Sequence, residues 1–389
     1  MTTPLGPWPL GMDNVSASST LKRDEEGRQV ALVDAANVDI DRDGRPRRRR
    51  GARLVHARAD LHSIWSGNAG AFVAAGAELL SAPDLQPIAL LNSADPCTYA
   101  EVNGEVIVGN RTTLLRVKNG RAAPLGVPDA PPPAASAGES GGMRMGRYGV
   151  AVAFVSDQGE GGLSSLRFVD VPDGGGIILS ALPTAGDATA LRIYRTHPNG
   201  EELYRAAEIP LGFPSYHLGN GGLDAAADTR NLRRMPPGQH VASFQGYLLV
   251  AHGNVLRFSE PLRYGLHSPR HGFVQFPHRI TMLAAVGRAV FVGTSAGVIV
   301  LRGPRPREWS QDMTGALAPI EGAVAVVASG ALRTEQPGQR MAVWLAPNGY
   351  VLGTEDGAVI ELQADRITGL IHAAGALCVH GRRVVAAVA

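Results

Sequence analysis

Five stretches of the chain share one rhythm: a short apolar strand, a glycine turn, a second apolar strand, another glycine turn and a third strand. They read HSIWSGNAGAFVAAGAELLSA from His62, CTYAEVNGEVIVGNRTTLLRV from Cys97 and HVASFQGYLLVAHGNVLRFSE from His240. Two more follow, TMLAAVGRAVFVGTSAGVIVLRG from Thr281 and MAVWLAPNGYVLGTEDGAVIELQ from Met341. The first turn glycines are Gly70, Gly104, Gly246, Gly287 and Gly349, and the second are Gly76, Gly109, Gly253, Gly293 and Gly353. Glycine supplies the positive φ that tight hairpin turns require. One meander of this kind cannot bury both its faces, so copies must stack, and radial stacking gives a propeller. The tail RRVVAAVA after Gly381 reads as a sixth, truncated copy.

The spacing of the first glycines is 34, 142, 41, 62 and, to Gly381, 32 residues. Propeller blades run to about 40 to 50 residues, so the long gap holds a blade and an insert of roughly 100 residues. That insert opens on the Pro-rich run Val127–Pro133 and carries the alternating apolar positions Tyr148, Val150, Val152 and Phe154. LRIYRT and ELYRAAEIP flank His197-Pro198-Asn199-Gly200, an Asn-Gly hairpin signal. Short strands between Pro-rich linkers fit an immunoglobulin or fibronectin-like β-sandwich. The expected fold is therefore all-β: a β-propeller of about five to six blades, interrupted by a sandwich. The expected division is 1–53 as an extended arm and hairpin, 54–127 as the first part of the propeller, 128–237 as the insert and 238–389 as the second part. The alternative is an irregular β-sandwich whose glycines recur by chance. The 48 glycines and 27 prolines weigh against a helical bundle in either case.

Several function classes drop out on composition. Two cysteines, Cys97 and Cys378, cannot build a disulfide framework or a four-thiolate zinc site. A net charge of +2 gives no polyanion-binding character to the chain as a whole. No run of 18 apolar residues calls for a membrane span, and the N-terminal MTTPLGPWPLGMDN lacks the pattern of a secretory signal. The G-x-S-x-G, H-E-x-x-H and P-loop signatures are missing. No enzyme activity, cofactor or metal is expected. With 5% aromatic residues the chain is thin for a sugar cleft, although two acids could converge from distant blades.

Three clusters invite closer reading. Asp39, Asp41, Asp43 and Gly44 match the start of a calcium loop, but its twelfth position is Arg50, where a bidentate carboxylate is needed. A polar hairpin with Asp-Gly at its turn fits better. The run Arg47, Arg48, Arg49 and Arg50 could contact phosphate, but lacks interleaved aromatics, and a contact with a neighbouring subunit is the preferred role. His267, His271 and His278 lie within YGLHSPRHGFVQFPHR, where Pro269 and Pro277 break any ligand register, so solvent-facing histidines in a loop are expected. His56, Asp60 and His62 form a comparable cluster.

The order of parts resembles the tail nozzle (tail tubular protein B-like) family of short-tailed bacteriophages. The residues that carry the resemblance are Asn37, Val38, Asp39, Gly44, Arg48 to Arg50 and Gly51 ahead of the first blade, and GNVLRFSEP from Gly253 to Pro261. The resemblance extends from about residue 10 onward and rests on structural motifs. It implies a structural virion protein of a phage tail, a homo-oligomeric, hexameric ring below portal-side and adaptor proteins. Such a protein would be assembled in the bacterial cytoplasm. Its lumen would conduct DNA in transit, and its outside would anchor fibres or spikes. The alternative is a carbohydrate-binding or depolymerising propeller.

Overall fold

The structure, a computed structural model, describes residues 7–35, 38–41, 43–49, 51, 53–332, 339–380 and 383–389. It is all-β, with two single-turn 3-10 helices at Pro306–Glu308 and Ser329–Leu332. Five four-stranded antiparallel meanders, each with its strands in chain order, are the blades of a β-propeller, and a two-sheet sandwich interrupts them. The chain divides into two compact units, Met1–Leu90 with Ala94–Cys97 and Phe276–Ala389, and Leu91–Ser93 with Thr98–Gln275.

The first unit contains three blades. The first blade is Leu61–Gly67, Gly70–Ala75, Glu78–Ser81 and Pro87–Leu90. The fourth is Ile280–Ala285, Ala289–Thr294, Gly297–Arg302 and Ser310–Met313, and the fifth is Val324–Ala328, Arg340–Ala346, Gly349–Gly353 and Val359–Glu361. The inner three strands of the fourth blade are buried almost throughout, on both faces. Such strands read as unbroken apolar runs because neither face meets water. Met282, Ala284, Phe291 and Val300 of the fourth blade share a core with Ala342, Trp344 and Val351 of the fifth. The Phe291 and Trp344 ring centroids lie 5.4 Å apart.

Glycine plays two distinct parts in these blades. Gly70, Gly76, Gly104, Gly246, Gly253 and Gly349 take positive φ, as hairpin turns demand. Gly109, Gly293 and Gly353 do not; they lie at or next to the ends of inner strands, the second of the second and fourth blades and the third of the fifth, where another element presses on the backbone. A Cβ on Gly353 would stand 2.6 Å from the Phe291 ring, one on Gly293 2.3 Å from Pro319, and one on Gly109 2.5 Å from Val241. Those three are spacers for close packing, which corrects their reading as turn residues.

The chain after the fifth blade forms a hairpin, Gly375–His380 with Arg383–Val388, two strands where the blades have four. Leu377, Val384 and Ala386 turn towards the fifth blade and its Tyr350. Ala376, Cys378, Val385 and Ala387 alternate with them and are exposed.

The N-terminal segment is docked on this unit rather than free. Leu21 and Ala31 are buried, and Asn14 clasps the Thr368 backbone from both sides: its Nδ2 donates to Thr368 O at 2.9 Å and its Oδ1 accepts from Thr368 N at 2.9 Å. Arg366 Nη1 donates to Leu10 O at 2.9 Å. Trp8 N donates to Gly44 O at 2.7 Å, which ties the segment to the hairpin Val38–Ile40/Pro46–Arg48.

The second unit contains two blades and the insert. The second blade is Thr98–Val102, Glu105–Gly109, Leu114–Lys118 and Arg121–Pro124; the third is His240–Phe244, Tyr247–His252, Val255–Phe258 and Phe273–Gln275. Their first strands are stitched through Thr98, whose Oγ1 donates to Gln239 O and accepts from Val241 N, each at 2.9 Å. Ile107, Leu114, Val241, Leu248 and Val250 form their common core. In the insert, Gly146–Ser156 is the central strand of one sheet, flanked by Arg167–Val171 and Ala190–Arg195, and the other sheet is Ala134–Gly138, Gly176–Ser180 and Ser215–Leu218. Tyr148, Val150, Val152 and Phe154 face Ile177 and Leu179 in the sandwich core. Val127 and Ala130 join that core, so the Pro-rich run belongs to the packed insert and is not a free linker.

Candidate functional site

The arginine run sits on the second strand of the hairpin, and its charges are taken up locally. Arg47 pairs with Asp41 at 3.0 Å and Arg49 with Asp39 at 3.3 Å. Arg48 is exposed and forms an ion pair with no described residue; Arg50 lies outside the described residues. Asp41 also accepts from the Asp43 and Arg45 backbone amides. Those bonds, with the Arg45 amide the largest contribution, hold its carboxyl below the usual range. The calcium-like motif is thus a side-chain-capped Asp-Gly turn whose Asp39 and Asp41 carboxylates are already engaged.

The histidines separate. His271 and His278 are exposed, as expected, but His267 is 6% exposed on the short strand Leu266–His267, which corrects its placement in a solvated loop. Burial, and then the Arg257 cation, push its pKa down to about 4. Its Nδ1 has no hydrogen-bond partner among the described residues. His62 is engaged by Ser63 and the Gly76 carbonyl, and His56 by the Pro83 carbonyl. Arg58 bridges Asp60 and Glu78 at 2.7 and 2.8 Å. Each member of that cluster holds its own sheet together. Among the described residues, no three His, Cys, Asp or Glu side chains converge as a metal site. Burial pushes the Cys97 thiol up to about 12, which leaves it inert as a nucleophile.

A cavity that no sequence motif announces lies in the second unit, between the second blade, the insert and the loop Leu262–Leu266, with a volume of about 430 Å³. Four cations face it, Arg116, Lys118, Arg192 and Arg263, together with four carboxylates, Glu105, Asp157, Glu160 and Asp228. The charges are matched in pairs. Lys118 contacts Glu105 at 2.8 Å, and Arg116 joins Glu105 at 3.7 Å and Asp157 of the insert. Arg192 holds Glu160 at 2.7 Å, and Arg263 holds Asp228. That last pair keeps the Asp228 carboxyl below its ordinary range and raises Arg263.

Glu160 is the fixed point of the wall. It also accepts from the Tyr194 hydroxyl at 2.7 Å and from Thr229 Oγ1 at 3.1 Å. Burial first, then that hydrogen bond to a carboxylate, pushes Tyr194 well above an ordinary phenol. Gln158 closes the seam, accepting from Gly126 N at 2.8 Å and donating to Pro124 O at 2.9 Å. Tyr264 leans on the blade core, with the Asn103 side chain in hydrogen-bonding reach of its hydroxyl. These residues come from seven separate stretches of chain. No local spacing signals them, which is why sequence reasoning missed the cavity.

No protein-family model matches the chain, and no curated protein does. Among solved structures, a crystal structure of BBS1N in complex with ARL6DN, soaked with lead, is similar at 11% identity and a TM-score of 0.34, over 86% of this chain and 91% of that one. The same complex soaked with mercury gives 12% identity and a TM-score of 0.32, over 85% of this chain and 88% of that one. Hsv2 of Kluyvelomyces marxianus gives 12% identity and a TM-score of 0.18, over 48% of this chain and 60% of that one. TM-scores of this size carry no argument about function; the blades themselves define the fold.

Proposed function

We propose that the chain is a structural subunit of a bacteriophage tail that assembles into a ring, hexameric in the resemblance, around a conduit for DNA. The observation that supports this reading most is the last sheet. Arg383–Val388 pairs only with Gly375–His380 among the described strands. Beyond Arg383 its sequence, VVAAV, carries no charge, no proline and no glycine. Natural sheets guard free edges with charges, prolines or bulges, because an unguarded edge recruits another strand. An edge left unguarded, beside the exposed apolar Cys378 and Val385, suits a protein whose working state is an assembly. Portal-side, fibre and spike proteins are the further partners in this proposal.

In this proposal subunit contact is carried by the arginine run, whose Arg48 is exposed, and by the last sheet, while Leu10 and Asn14 are bound within their own unit. Immunogold labelling of virions made from the genome that encodes the chain tests the location. Gold at the tail is the expected result; particles that lack the chain altogether would sink the proposal.

A further inference from the structure

We propose that the cleft between the second blade and the insert is a recognition site for a neutral sugar unit. The inference is independent of the ring: every lining residue belongs to the second unit, so a monomer keeps the cleft whole. It gives the carbohydrate alternative a definite site.

Charge decides the ligand class. Four cations oppose four carboxylates, and each is held by a partner of opposite sign. Such a wall has no surplus charge with which to attract a nucleotide, a phosphate or a sugar acid. It does present fixed hydrogen-bonding atoms of both kinds. A carboxylate offers several lone pairs and a guanidinium five donors, so one ion pair does not exhaust either group. A ligand with many hydroxyls, each both donor and acceptor, matches that alternation.

Size and order agree. A volume of about 430 Å³ falls within the range of small-molecule sites and accommodates one or two pyranose rings. The insert side of the wall is fixed before any ligand arrives, because Glu160 is held by Arg192, Tyr194 and Thr229, and Gln158 by two backbone groups. Preorganised donors and acceptors lose little entropy on binding. Tyr264 supplies an aromatic surface with a polar tip, the amphipathic character that a sugar ring itself has. Leu125, Val127 and Leu262 supply apolar surface for its C–H groups.

The test uses the full-length chain and ligand-observed NMR titrations. The probes are glucose, galactose, mannose, rhamnose and N-acetylglucosamine, with glucuronate and inorganic phosphate as charged controls. Saturable binding of at least one neutral sugar is expected, with a Kd on the order of 1 mM. Lys118→Ala and Tyr264→Phe each remove a polar group at the cleft while sparing the core, and each should weaken binding by about fivefold to tenfold. Hydrogen exchange should slow at residues 157–160 and 262–266 when that sugar is added. Failure of all five sugars to bind overturns the proposal. So does preference for glucuronate or phosphate, or neutral-sugar binding that both variants and the exchange pattern leave unchanged.

Discussion

The junction of the fourth and fifth blades and the seam of the second blade with the insert both join β modules, yet they hold by opposite means. The first is apolar: Phe291 and Trp344 interlock, and Gly353 is shaved to let them approach. The second is polar: Arg116 of the blade meets Asp157 of the insert, Gln158 bonds the Gly126 and Pro124 backbone, and the pairs Lys118–Glu105 and Arg192–Glu160 brace the two sides of an open cleft. Apolar junctions gain stability in proportion to area removed from water. Ion pairs at partly exposed seams gain little net energy but fix geometry. The difference separates a source of stability in one place from a source of shape in the other.

Breaking the apolar junction should have the largest effect. Trp344→Ala removes a side chain that is fully buried and should cost about 3–5 kcal/mol, read as a lower urea midpoint. A smaller loss would mean that the two blades pack less closely than 5.4 Å between rings implies.

Next in size is an effect of pH on the third blade. His267 is neutral in the fold, with its pKa down at about 4, and the unfolded chain binds the proton near 6.5. Because the unfolded state takes up more protons in that window, stability falls as pH drops from 6.5 towards 4, by up to about 3 kcal/mol. His267→Gln should flatten the slope of stability between those two pH values. A slope unchanged in the variant would assign the acid sensitivity to other groups.

Gly353→Ala tests the spacer role of glycine. Its Cβ would meet the Phe291 ring at 2.6 Å, and the cost should be about 1–3 kcal/mol. Gly104→Ala, where open space surrounds the site and the φ of +75° is the sole obstacle, sharpens the contrast. Its cost should be of order 1 kcal/mol and should leave the packing of neighbouring side chains unaltered, as seen in methyl NMR spectra. Least of all, Arg47→Ala, with a side chain 73% exposed, should leave the thermal midpoint unmoved.

The blades were legible in the sequence because a meander writes its period into the chain: apolar strand, turn, apolar strand. The Asp-Gly turn of the arginine hairpin was legible for the same local reason. Two kinds of feature were not. Glycine is one letter for two jobs, and only the approach of Val241, Pro319 or Phe291 distinguishes Gly109, Gly293 and Gly353 from turn residues. The charged cleft gathers Asn103, Asp157, Arg192 and Asp228 from distant stretches, so its pairing exists only after folding. His267 belongs with these: its neighbours Ser268, Pro269 and Arg270 look like a solvated loop, and a two-residue strand paired with Arg233–Arg234 buries it.

The proposal that this chain is built for self-assembly is tested most directly by native mass spectrometry of the purified protein, alone and with Val385→Lys on the exposed face of the last sheet. The expected result is a closed oligomer at six times 40.8 kDa for the parent chain and dissociation in the variant. A parent chain that stays at 40.8 kDa across concentrations would contradict it.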